Sequence, residues 1–149
     1  MNSNGKAIGI KGRKGILSTL WVFATLNYLY CDVIALMDSG YLKQILTGQT
    51  GSIQITQGFL LGAAILMEIP IAMVLLARVL KDRASRWVNI IAGTIMTVVQ
   101  TLSLFLGTPT LYYAFFSTIE IACTIFIVWY AWKWKPVLKP DISRNIADN

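Results

Sequence analysis

ITQGFLLGAAILMEIPIAMVLLARVL, residues 55–80, decides the fold class of this chain. From Gln57 to Ala77 its only charge is Glu68. A bilayer core is crossed by roughly 20 apolar residues, so the run is long enough to span. Composition agrees, since 56% hydrophobic and 13% charged residues, with a mean hydropathy of +0.62, exclude an ordinary soluble domain.

Three more runs meet the same test, at about residues 16–37, 87–107 and 111–134. What remains is a basic head (1–15), an intervening loop, two tight turns and a tail (135–149), with no room for a soluble domain. The first run follows a basic head as a signal peptide would. Its length, its Asn27 and Asp32, and its lack of a small-x-small cleavage site read instead as a retained helix. The fold expected is an all-α membrane protein with four transmembrane helices in an up-and-down antiparallel bundle. The glycine-spaced head and the tail beyond Pro136 read as flexible.

Charge sets the expected orientation. Twelve basic residues fall in the head (Lys6, Lys11, Arg13, Lys14), the second connection (Arg78, Lys81, Arg83, Arg86) and the tail (Lys133, Lys135, Lys139, Arg144); only Lys43 lies on the other side. This positive-inside bias puts both termini in the cytoplasm of a bacterial-type plasma membrane. The net charge of +6 is then explained by contact with anionic headgroups, and nucleic acid is not an expected partner. Trp21, Trp87, Trp129, Trp132 and Trp134 all fall near the same interface and read as headgroup anchors. Arg78 and Asp82, four apart, read as a surface ion pair.

Three of the seven acidic residues, Asp32, Glu68 and Glu120, lie inside the spans with no lysine or arginine at comparable depth. A charge at a helix centre costs roughly 2.5–3.5 kcal/mol on insertion scales, which makes such residues candidates for function. At 1.5 Å per residue, Asp32 lies about 8 Å, Glu120 about 14 Å and Glu68 about 20 Å from the outer ends of their helices. Pro70, two residues after Glu68, removes an N–H and frees the Leu66 carbonyl beside the acid.

Helical spacing gathers other polar side chains into stripes: Tyr113, Ser117, Glu120 and Thr124 on the fourth run, and Asn89, Gly93, Thr97 and Gln100 on the third. Tyr28 with Asp32, and Asn27 with Cys31, stand one turn apart on the first, while Gln57, Leu61, Ala64 and Glu68 share a small or polar face of the second. The stripes build either a narrow polar cavity open to the outside or a set of hydrogen bonds that locks the bundle. The cavity residues would be Asp32, Glu68 and Glu120 with Asn27, Tyr28, Gln100, Tyr113 and Ser117.

Histidine is absent, no C-x-x-C occurs and no glycine-rich phosphate loop is present. No cofactor and no metal is therefore expected, and Cys31 and Cys123 read as free, packed thiols. An enzyme would have to act on a lipid or isoprenoid through carboxylate acid–base chemistry. The leading expectation is binding or proton-linked transport of a small lipophilic or cationic molecule. The rivals are that enzyme and a non-catalytic partner subunit; a homo-oligomer or a membrane-protein partner is compatible with each.

LSTLWVFATLNYLYCDVIALMD, EIPIAMVLLARVLKDRASRWVNIIAG and YYAFFSTIEIACTIFIVWYAWKW resemble a family of small prokaryotic four-span proteins of unknown function, over about residues 17–134. The resemblance implies the four-helix architecture and carries no activity. A looser echo of DoxX-like four-helix proteins extends to helix count and size. Small multidrug-resistance exporters also have four spans and a membrane glutamate. Here the first helix carries Asn27 and Asp32 instead, and the charge bias opposes dual topology.

Overall fold

The computed structural model describes residues 3–50, 53–105 and 109–134. It is mostly helical: α1 (Ser3–Met37), α2 (Ser39–Leu46), a two-stranded hairpin of β1 (Gln49–Thr50) and β2 (Ile53–Gln54), then α3 (Gln57–Val79), α4 (Asp82–Phe105) and α5 (Leu111–Trp132). Helices α1, α3, α4 and α5 are each long and apolar enough to cross a membrane. The tail at 135–149 and positions 107 and 108 of the last turn lie outside the described residues.

Local chemistry explains the boundaries. Asp38 caps α2 by accepting from the backbone N–H of Gly40 (2.9 Å) and Tyr41 (3.3 Å), so two turns of helix form within the intervening loop. Gly48, at φ +75°, turns the chain into the hairpin, whose strands pair antiparallel with Gln49 opposite Gln54. Thr56 starts α3 by accepting from Phe59 N–H at 3.2 Å. The helix then runs unbroken through Pro70, as membrane helices often do.

Two expectations change. Helix α1 begins at Ser3, so the head expected to be flexible is largely a continuation of the first helix, whose apolar, membrane-length part is Gly12–Met37. It is tied down by Lys14, whose ammonium donates to the Leu80 carbonyl (2.7 Å) and pairs with Asp82 (2.8 Å). Asp82 thus pairs with α1, not with Arg78 as its spacing suggested.

Each long helix packs against two neighbours: α1 against α3 and α5, and α4 against α3 and α5. The core is densest at the end holding Lys14 and Asp82, the basic end, where Leu17, Trp21, Ala24, Met73, Ala77, Ile127 and Trp134 are buried. Trp21 and Trp134 are thereby core residues, and only Trp87, Trp129 and Trp132 keep the exposed positions expected of anchors. Helices α4 and α5 approach closely at Gly93, where a Cβ would stand 2.7 Å from Val128 Cγ2. Small residues at such crossings let membrane helices gain van der Waals contact.

At the other end, which carries α2 and the hairpin, α3 separates from the bundle. Residues 57–65 are all exposed, and the first partly buried side chain is Leu66. Pro70, Met73 and Ala77 then face the interior.

Candidate functional site

The polar side chains inside the bundle form three groups. The first lies near the basic end. Trp21 Nε1 donates to Asn89 Oδ1 (2.7 Å), Asn89 Nδ2 donates to the Ser85 carbonyl (2.7 Å), and Ser85 Oγ donates to the Ala77 carbonyl (3.0 Å). This chain joins α1, α4 and α3, while Ser18 Oγ donates to the Val74 carbonyl at 2.7 Å. Its members are satisfied, and its work is structural.

The second group is a ladder between α4 and α5. Thr97 donates to Thr124 (2.8 Å), Gln100 Nε2 donates to Ser117 Oγ (2.8 Å), and the Ser103 and Tyr113 hydroxyls share a bond of 2.6 Å. Three rungs at helical spacing lock the two helices at successive depths. Gln100, Ser117 and Tyr113 thus occupy the interior stripes expected of them, engaged with one another.

The third group is different. Glu120 is 0% exposed, and among the described residues neither carboxyl oxygen has a hydrogen-bond partner. The Tyr28 hydroxyl, on a side chain 4% exposed, is likewise unpartnered. The two lie within electrostatic reach of each other, as do Glu120 and Cys31, and Glu120 and Asp32. Leaving a buried polar group unpaired typically costs about 1–3 kcal/mol, so this cluster on α1 and α5 is unfinished as a hydrogen-bonding arrangement. It is the best candidate for a site.

Asp32 lies on the exposed side of α1, at the end where α3 has moved away. Tyr41 of α2 sits within reach of Asp32, Tyr112 and Tyr113. Burial pushes the Tyr41 phenol up, and the Asp32 carboxyl adds to that shift. Asn27 is half-buried and donates to the carbonyl of Phe23 in its own helix at 2.9 Å.

Glu68 stands apart. It is exposed on α3, opposite the buried Pro70, Met73 and Ala77, and the whole face of Gln57, Leu61, Ala64 and Glu68 points away from the bundle. The structure therefore does not bring Glu68 to Glu120. The expectation that this small or polar face turns inward is thus corrected: the packing of Pro70, Met73 and Ala77 against the bundle turns it outward.

A groove of about 370 Å³ opens elsewhere, between α4 and α5, lined by Thr94, Thr97, Val98, Ile125, Val128, Trp129 and Trp132. Of the expected cavity residues, none lines it. Cys31 and Cys123 are free and buried, the latter donating weakly to the Leu20 carbonyl (3.6 Å). Among the described residues no group of three or more Cys, Asp or Glu side chains could hold a metal ion.

Neither a curated protein nor a solved structure matches the chain. The pattern that defines DUF6326, a family of unknown function, matches residues 9–139, which takes in all four long apolar helices. The chain, with its four helices of membrane-spanning length, belongs to this family of unknown function.

Proposed function

We propose that this protein binds a small organic cation at the cluster of Glu120, Tyr28 and Asp32, and exchanges it for a proton. The chain would be an up-and-down antiparallel bundle in a bacterial-type plasma membrane with both termini cytoplasmic. Support for that orientation comes from the twelve basic residues on one side against Lys43 on the other. The end carrying α2 and the hairpin then faces outward.

The observation that carries the reading is the unpartnered Glu120 carboxyl. A carboxyl sealed between helices needs a proton, a cation or a hydrogen-bond donor beside it. No lysine or arginine lies at comparable depth, so the cation has to come from outside the chain. Asp32, nearer the surface, supplies the attraction at the mouth, and the rings of Tyr28 and Tyr41 suit a cation over their faces. In the proposed exchange Glu120 carries a proton that entry of the ligand releases. Gln100, Ser117 and Tyr113 fix α4 against α5 behind the site, and Glu68 takes no part.

The test is uptake of methyltriphenylphosphonium by proteoliposomes under an imposed pH gradient. Wild type and Glu68→Gln are expected to accumulate the probe, and Glu120→Gln to lose gradient-driven uptake. Equal uptake by wild type and Glu120→Gln would refute the proposal.

A further inference from the structure

We infer that the outward face of α3 is an interface between two copies of this chain, in which the two Glu68 carboxyls hydrogen-bond to each other. Helix α3 is the least covered of the four, with 11% of its most apolar stretch buried against 28% in each of the others. Its outward face is not uniformly lipid-like. Gln57, Leu61, Ala64, Glu68, Ile71 and Leu75 recur at alternating spacings of 4 and 3 residues. That alternation is the seam of a left-handed helix pair. Leu61, Ile71 and Leu75 are 63%, 50% and 65% exposed, as an uncovered seam requires.

Acyl chains satisfy Leu61, Ile71 and Leu75 but offer nothing to the Glu68 carboxyl, whereas Gln57, the first residue of α3, lies at headgroup level. The occupant must therefore present a hydrogen-bonding group at the depth of Glu68 and apolar groups on either side of it. A second copy related by a two-fold axis along the membrane normal does so, because equal depths face each other. Glu68 then meets Glu68 and Gln57 meets Gln57. One shared proton suffices for the carboxyl pair, since an acid O–H donates to the oxygen of its neighbour. Ala64, one turn away, keeps the backbones close enough for these short side chains to meet. The chain has no lysine or arginine at this depth, so the pairing is of acid with acid. The inference rests on the single orientation proposed above and is independent of any ligand at Glu120.

The experiment uses oxidative crosslinking in liposomes at low protein-to-lipid ratio. Leu61→Cys and Leu75→Cys are each expected to form covalent dimers, whereas wild type, whose cysteines are buried, and Val98→Cys on the exposed side of α4 are not. A crosslink that appears only when the Leu61→Cys and Leu75→Cys proteins are mixed would mean opposed orientations and overturn the inference. Energy transfer between labelled copies supplies the second reading. Glu68→Gln, which keeps a self-pairing side chain, should associate like wild type, and Glu68→Leu at least tenfold more weakly. Monomeric wild type, or Glu68→Leu associating as wild type does, would also overturn it.

Discussion

Trp21 and Asn89 are joined by a 2.7 Å hydrogen bond from indole to amide, across the bundle between α1 and α4. The side chains of these two helices reach each other although each packs mainly against α3 and α5. Both residues are 0% exposed, so neither group has water as a substitute partner.

Removing one partner should therefore leave the other orphaned. Asn89→Leu strands the Trp21 N–H, and Trp21→Phe strands the Asn89 carbonyl oxygen; each is expected to destabilise by about 1–3 kcal/mol. The double variant should cost less than the sum, because the second change removes the group that the first left unpaired. Thermal unfolding in mild detergent measures all three. Strict additivity would show that the bond contributes nothing.

Gly93 gives a packing prediction. A methyl group there would meet Val128 Cγ2 at 2.7 Å and the Thr124 carbonyl at 3.4 Å. Valine is stiff about its first torsion, so it does not simply swing aside. Gly93→Ala should lower stability by about 1–3 kcal/mol, the range for overpacking a filled interior. Trimming the neighbour in Gly93→Ala/Val128→Ala should restore part of the loss. If Gly93→Ala melts like wild type, α4 and α5 have room to separate at this crossing.

Tyr41 gives the pH dependence its sign. Burial raises its phenol above the ordinary value, and Asp32, Tyr112, Tyr113 and Cys31 add to the shift. The folded state then holds the phenolic proton more tightly than the unfolded chain does. Its contribution is complete below about pH 10, the unperturbed tyrosine value, and is lost as pH rises through the higher folded value. Stability of the wild type should accordingly fall above about pH 10. Tyr41→Phe should flatten that decline, with tyrosinate absorbance recording the missing titration. An identical alkaline decline in both proteins would place its source elsewhere.

Hydropathy made the four spans legible, because a long apolar run leaves few alternatives. Helix α3 occupies Gln57–Val79 against an expected 55–80, and α5 starts at Leu111 as expected. Where charge ends the apolar run the reading stopped early: α4 starts at Asp82, not at about 87, since Arg83 and Arg86 extend the helix beyond its apolar part. Periodicity also placed Asn89, Thr97, Gln100, Ser117 and Glu120 on interior stripes, because α4 and α5 each carry one polar face. Two things were illegible. Trp21 looked like a headgroup anchor because depth alone does not separate an interfacial indole from one bonded to a neighbouring helix. The inward side of α3 is set by the packing of Pro70, Met73 and Ala77, whereas the small or polar face of Gln57, Leu61, Ala64 and Glu68, which periodicity picked out as inward, is the exposed one.

Glu120 joins stability to function in one residue. Its carboxyl is buried without a hydrogen-bond partner among the described residues, so it should weaken the resting fold. Glu120→Leu, which replaces the carboxyl with an apolar side chain of similar size, is expected to raise stability by about 1–3 kcal/mol. Glu120→Gln keeps the shape and a polar head, so a smaller change is expected. Both should abolish proton-coupled uptake if Glu120 is the exchanging group. A gain in stability together with a loss of uptake is the signature of a strained residue kept for its chemistry. If Glu120→Leu instead unfolds the bundle, the carboxyl is a structural hydrogen-bonder held through bridging water, and proton exchange would have to centre on Asp32. Thermal unfolding and flux, measured on the same three proteins, separate these cases.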